Sequence, residues 1–332
     1  MKKHRNLPFF VPFAGCPHRC AFCAQEKITG HRETAEDLQA ELAAFDSMME
    51  NAGDLQATEN MIAFFGGSFT GIPKNRMIAL LERANLYLER GMASGIRVST
   101  RPDLIDEEIL AILKHYRVTH VELGVQSMDD EILRLSGRGH TASQTRASAE
   151  LLVKHGIVFG GQMMLGLPGS GEEKELATAK AICDMGAKEA RIYPTVVFAG
   201  TELHRMTQTG DYVPLDSVTA AKRTVPCLET FLHRGVKVLK IGLQSSKELT
   251  AAPFGPTDGS LAELAYGYLY AKEILSRAKN NAENKHLTVY LPVGELSKLT
   301  GHGRLVLKEL QTILLPRTLD LREDETLSVP RV

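Results

Sequence analysis

The chain has 332 residues, of which 43% are hydrophobic and 24% charged, with a formal net charge of −1. Those figures fit a soluble globular enzyme with one large α/β domain and an appendage, and the near-zero charge does not advertise a polyanion partner for the molecule as a whole. No apolar run reaches the ~18 residues of a membrane span, and the basic start Met1-Lys2-Lys3-His4-Arg5 precedes an apolar run too short for a signal peptide, so a cytoplasmic, reducing location is expected.

Residues 7–13 read as a buried strand that feeds the loop Cys16-Pro17-His18-Arg19-Cys20-Ala21-Phe22-Cys23. Three of the chain's five cysteines fall in this loop, spaced three residues and then two. Iron–sulfur clusters are held by Cys thiolates and usually take four. A triad with no fourth partner therefore suggests a cubic cluster with one iron left open for a small molecule. Phe22 reads as an apolar wall that keeps water off it. Structural zinc wants four ligands, and only a strained His18 offers itself as the fourth. An odd number of cysteines without a signal peptide argues against disulfides. Cys183 and Cys227 lie in apolar helical patterns and read as core.

Residues 33–52 read as a helix carrying Leu38, Leu42, Phe45 and Met49 at helical spacing, with Gly53 as its stop. Residues 61–65 form a second buried strand, and Gly66-Gly67-Ser68-Phe69-Thr70 follows at its carboxyl end. Two glycines let backbone approach a ligand closely, although an ordinary strand-to-helix turn uses them too. A helix over 74–90 leads to a strand over 96–99, closed by Thr100-Arg101-Pro102-Asp103. A helix over 104–115 and a strand over 118–125 run into Gly124-Val125-Gln126-Ser127. After Arg138-Gly139-His140-Thr141 come a helix over 145–155, a strand over 158–165, a helix over 173–185 and a strand over 189–194. Residues 236–244 add a further strand.

Six strand–helix alternations mean parallel strands with crossover helices. The fold class expected is α/β: a partial (β/α)6 barrel of TIM type, open on one side, with a small C-terminal α+β extension. The boundary is placed at 245, with the barrel in 1–245 and the extension in 246–332. In the extension, a helix over 260–278, a linker over 279–285 and a strand over 286–291 precede a helix over 293–314. That last helix is interrupted at Gly301-His302-Gly303-Arg304. The loop has the look of a phosphate clamp in RNA-binding modules, but Gly-x-Gly-Arg alone reads first as a plain helix–helix turn. The tail from 319 reads as an edge strand or a free end.

Three cysteines so spaced, with an aromatic before the last, resemble the signature of the radical S-adenosylmethionine (SAM) enzymes. The run Phe10-Val11-Pro12, Ser-Thr-Arg-Pro-Asp, Gly-Val-Gln-Ser, Arg-Gly-His-Thr and Gly-Thr-Glu-Leu narrow the likeness. They resemble the radical SAM domain of the elongator catalytic subunit and its shorter bacterial relatives. The resemblance implies a [4Fe–4S] cluster on Cys16, Cys20 and Cys23 and SAM on its open iron. It implies that Phe22, Gly66, Gly67, Ser68, Arg101, Gln126, Gln162 and Ile192 line the cofactor site. In that reading the glycine turn contacts the amino group of SAM, Arg101 its carboxylate or ribose, and the Ile192 backbone the adenine. His140 is left between SAM, substrate and turn, and Tyr193 between polar contact, radical relay and packing.

The implied function is reductive cleavage of SAM to a 5′-deoxyadenosyl radical that abstracts hydrogen from a substrate, by resemblance a nucleobase in tRNA or another RNA. Flavodoxin or ferredoxin would supply the electron. The rivals are a SAM- or haem-binding carrier related to the oxygen-independent coproporphyrinogen oxidases, without turnover, and a structural metal module. Gln162, where those oxidases carry an acidic residue, weakens the porphyrin reading. Elongator subunits also carry an acetyltransferase domain; this chain ends where that domain would begin, so acetyl transfer is not expected.

Overall fold

The computed structural model describes residues 3–11, 15–17, 19–24, 38–52, 58–280 and 285–327. Pro12, Phe13, His18, the first residues of the helix expected from 33, most of the 279–285 linker and the end of the tail lie outside them.

Seven parallel strands form one curled sheet in sequence order: β1 (Lys3–Val11), β2 (Thr58–Gly66), β3 (Gly95–Thr100), β4 (Val118–Gln126), β5 (Val158–Leu165), β6 (Glu189–Pro194) and β7 (Lys237–Ile241). Each strand pairs only with its neighbours in that order, so β1 and β7 are the two edges of an open half-barrel. The strands hold a period of two. Leu7, Ile62, Phe64, Ile96, Val98, Val121, Leu123, Phe159, Met163 and Ile192 lie within the apolar core that also takes in the helices. The alternate positions face the barrel interior, and they are largely polar: Asn6, Arg97, Ser99, Glu122, Gln162, Arg191 and Lys240. A closed barrel fills that space with branched aliphatic side chains. Here the interior remains a cavity.

The helices are α1 (Leu38–Glu50), α2 (Lys74–Glu89), α3 (Glu107–His115), α4 (Asp130–Leu135), α5 (Ala142–Lys154), α6 (Glu172–Asp184), α7 (Glu202–Thr209), α8 (Ser217–His233), α9 (Lys247–Thr250), α10 (Leu261–Asn280) and α11 (Leu296–Leu314). Local chemistry sets several starts. The Asp106, Asp129, Thr201 and Asp216 side chains each accept from a backbone N–H of the first turn, and Thr141 with Gln144 makes a full capping box. Such a cap is worth ~1 kcal/mol. It also corrects the expected helix over 104–115. Pro102–Leu104 is a separate 3-10 turn, and the Asp106 cap starts α3 at Glu107. The short α4 was not anticipated, because six residues between two loops carry too little periodicity.

The C-terminal elements share the same core: Leu264, Ile274, Leu299, Val306 and Leu310 are buried in it. The tail is an edge strand, β9 (Thr318–Asp324), paired in parallel with β8 (His286–Pro292). At the interruption of α11, His302, Gly303 and Arg304 all have left-handed backbone. His302 Nδ1 is 3.0 Å from Asp258, and Lys298 lies over the Tyr266 ring at 4.6 Å while paired with Glu295. Both side chains are thus engaged within the protein, whereas Arg304 and Lys308 are exposed.

Candidate functional site

The seven strands converge on a cavity of about 1100 Å3 that extends to their carboxyl ends, the end at which parallel α/β folds place ligands. The loop after β1 brings Cys16, Cys20 and Cys23 to its wall. That loop is pinned at several points. The Ala21 N–H donates to the Ser136 carbonyl at 2.9 Å, and the Leu203 N–H donates to the Ala21 carbonyl at 2.8 Å. Cys16 Sγ is 3.2 Å from Ser68 Oγ on the glycine turn, and Arg138 Nη1 lies 3.5 Å from Cys20 Sγ. Phe22 packs against Val197, Leu203 and Tyr212 beneath the loop.

Of the residues singled out in the sequence, Phe22, Gly66, Gly67, Ser68, Arg101, Gln126 and Gln162 lie on the cavity wall together with the three cysteines. Ile192 does not. It is in the outward phase of β6, wholly buried, and its carbonyl accepts from the Gly242 N–H at 3.0 Å. Arg101 is buried, and it grips Asp103 with two bonds of 2.9 Å. Cys183 and Cys227 sit on α6 and α8, and burial pushes the Cys227 thiol up to about 12.

Three buried side chains on the wall each keep a polar atom without a protein partner: Nη1 of Arg101, Oε1 of Gln126 and Nε of Arg138. Buried polar atoms are otherwise nearly always paired. Gln126 also has φ of +64°, strain of the sort that concentrates at ligand sites. Among the described residues no three Cys, His, Asp or Glu side chains converge on one point as a mononuclear site requires.

The floor of the cavity holds a network the sequence reading missed. Glu122 on β4 accepts from Arg97 Nη1 at 2.8 Å, from Arg191 Nε and Nη2 at 2.8 and 3.0 Å, and from Gln162 Nε2 at 2.8 Å. Arg97 also reaches Glu189 at 2.5 Å, across the interior from β3 to β6. Burial alone would raise the Glu122 carboxyl; Arg191, Arg97 and Gln162 hold it below its ordinary value. Burial likewise opposes the Arg191 charge, and Tyr193 and Glu122 outweigh it. The Tyr193 hydroxyl is 3.4 Å from Arg191 Nη1, and burial raises its pKa. The available signal was a charged residue at the centre of an otherwise apolar strand, as in Ile96-Arg97-Val98 and Val121-Glu122-Leu123. His140, beside this wall, is 4% exposed; burial and then Arg138 depress its pKa to about 3.

A family profile described as the Radical SAM superfamily matches residues 10–182, and one described as the Radical SAM C-terminal domain matches residues 187–265. An uncharacterized protein of Methanocaldococcus jannaschii is 30% identical over 229 residues, covering 65% of this chain and 69% of the relative. A tRNA uridine(34) acetyltransferase of Methanocaldococcus infernus is 26% identical over 313 residues, covering 82% of this chain and 58% of that protein. Elongator complex protein 3 of Saccharomyces cerevisiae is 25% identical over 294 residues, covering 75% and 52%. The chain thus spans little more than half the length of those two named relatives. Among solved structures, the archaeal Methanocaldococcus infernus Elp3 lacking its N-terminus shares the fold. It aligns with a TM-score of 0.64 and 22% identity over 82% of this chain and 64% of that one.

Proposed function

This chain belongs to the radical SAM superfamily and is a radical SAM enzyme that uses a [4Fe–4S] cluster and SAM; from that premise we propose that it modifies a nucleobase in tRNA or another RNA. The observation that carries the site assignment is the cysteine triad set on a cavity wall whose buried polar groups lack partners. Cys16, Cys20 and Cys23 would hold the cluster. Gly66, Gly67, Ser68, Arg101, Gln126 and Gln162 would hold SAM. Bound together, these groups supply one-electron cleavage of SAM and removal of a hydrogen atom from a substrate carbon. The chain's own part is to orient and shield them. The Phe22 ring excludes water from the loop. The Arg138 guanidinium, held by the Gly124 carbonyl at 2.7 Å, lies 3.5 Å from Cys20 Sγ and helps to seat that cysteine. Glu122 fixes which way Gln162 points: a carboxylate only accepts, so the Gln162 amide N–H turns to it and the amide oxygen is left for the ligand.

The RNA assignment rests on the relatives, two of which are named as acting on tRNA or as the elongator subunit, and on the open side of the barrel, which admits a large substrate. A flavodoxin or ferredoxin is the proposed electron donor. No helix among the described residues is long and apolar enough to cross a membrane. The boundary at 245 is kept as a functional division: the cofactor residues precede it and the elements after it act in substrate choice. The test is anaerobic reconstitution followed by SAM and dithionite, with 5′-deoxyadenosine measured with and without total tRNA. Expected are cleavage that depends on the three cysteines and a higher yield with tRNA. A yield that no RNA changes, with no altered nucleoside in the RNA, removes the RNA assignment and leaves the enzyme class standing.

A further inference from the structure

Resting on the RNA reading above, we propose that the open flank of the barrel, between edge strands β1 and β7, is a subsite for one unpaired nucleotide: its base stacks on Phe10 and its phosphate meets Lys240.

The charge of the cavity points to an anionic ligand. The charged residues on its wall are Arg19, Arg101, Arg138, Arg191 and Lys240, and among the described residues no Asp or Glu belongs to that wall; Glu122, beneath it, is taken up by Arg97, Arg191 and Gln162. The whole chain carries −1, so this sign is local. Arg101 is matched by Asp103 and Arg191 by Glu122. Arg138 faces Cys20. Lys240 has no carboxylate partner among the described residues and sits on edge strand β7, in register with Arg191. It is the cation placed at the flank rather than at the cysteine loop.

The flat surface is on the opposite edge. Phe10 belongs to the inward row of β1, yet the residue is 43% exposed. Its ring is 6.5 Å from Phe65, tilted 48°, and the Arg191 guanidinium lies 5.3 Å from the centre of the Phe65 ring. A single exposed aromatic needs no explanation on an ordinary surface. This one stands on a cavity wall beside a second ring and a guanidinium, the arrangement that holds a base by its face. Arg191 also has a hydrogen to offer. Its Nε and Nη2 are taken by Glu122, while Nη1 has only the Tyr193 hydroxyl at 3.4 Å. That N–H suits a base carbonyl. A base inside a duplex cannot present its face, so the ligand is single-stranded or flipped out.

The test is fluorescence anisotropy with a short 5′-fluorescein-labelled oligouridine and reconstituted enzyme, over a range of salt. Phe10→Ala should weaken binding about tenfold, the loss of one stacked base. Lys240→Ala should lower the slope of log affinity against log salt by about 0.7, one phosphate contact on a single strand. Leu86→Ala, equally exposed at 43% but on α2, should bind as the parent does. An unlabelled duplex of the same uridine strand should compete poorly. The SAM-induced change in the cluster's EPR spectrum reports whether each variant still holds its cofactors. Parental affinity and slope in both Phe10→Ala and Lys240→Ala overturn the subsite and leave the RNA reading intact, as does a duplex that competes equally. A parent enzyme that binds no RNA overturns both.

Discussion

Gly15 and Gly71 meet backbone to backbone, with no room for a side chain on either. A Cβ on Gly15 would stand 2.2 Å from the Ser68 oxygen and 2.5 Å from the Gly71 carbonyl carbon, and one on Gly71 would stand 2.2 Å from the Gly15 oxygen. The cysteine loop is therefore seated directly on the turn after β2. Gly15 also has φ of +77°, which side chains avoid.

Gly15→Ala should accordingly cost more than the ~1–3 kcal/mol of a strained backbone alone, because main chain cannot swing aside as a side chain can. Iron content after reconstitution and the urea midpoint are the measurements. Parental values for both would show that the loop is not held by this contact.

Cys20→Ala should abolish the cluster's visible absorbance and SAM cleavage, while Cys183→Ala leaves both. Cys183 is half-buried on α6, away from the cavity wall, and burial raises its thiol pKa. Full cluster content in Cys20→Ala would falsify the ligand assignment.

Glu122→Leu should destabilise the fold by about 3–5 kcal/mol, the cost of stripping a buried charge pair of one partner. Arg97 is wholly buried and keeps Glu189, so the larger share falls on Arg191. Glu122→Gln, which retains an acceptor, should lose less. Urea unfolding of the two variants checks the order; equal and small losses would mean that water already serves these guanidinium groups.

His140 gives a pH dependence with a definite sign. Its native pKa is held to about 3, below the ~6.5 of a free imidazole. Between those values the unfolded chain binds a proton that the native protein refuses, so stability falls as pH falls. The loss approaches about 1.4 kcal/mol per pH unit below the free value. His140→Gln should remove that component and flatten unfolding free energy between pH 7 and 5 by about one proton. A variant with the parental slope would show that the imidazole is protonated in the folded state.

Much of this was legible in the sequence, because the informative signals are short and local. The cysteine spacing needs eight residues, and the alternation of apolar strands with amphipathic helices gives parallel order without further input. The strands over 158–165 and 189–194 have the expected bounds. What could not be read was pairing across the barrel. Arg97 and Glu122 are far apart in sequence and become partners only when β3 pairs with β4, and Arg191 joins them only when β6 curls toward the same axis. The same limit affected the glycine loop near 302. Its basic residues group in sequence, but Asp258 and Tyr266 occupy two of them once α10 and α11 pack. Phase separates Ile192 from its neighbours: one residue along a strand reverses the face, so Arg191 and Tyr193 reach the cavity and Ile192 the core.

The ion pair from Arg97 to Glu189 is a chord drawn across an arc. It leaves β3 and lands on β6, skipping two strands. No ladder bond joins β1 to β7, so hydrogen bonding between strands does not by itself fix how tightly the sheet curls. The chord acts as a drawstring at the amino-terminal end, where Glu189 begins β6, whereas at the carboxyl-terminal end the ties run through the cysteine loop, which reaches Ser136 after β4 and Leu203 after β6. The throat of the interior is an ionic knot, and its mouth is spanned by main-chain bonds of the loop that carries the cysteines. Substitutions that loosen the throat will change the width of the mouth and the stability of the fold together, so selection for a larger substrate acts against a residue that the fold also needs.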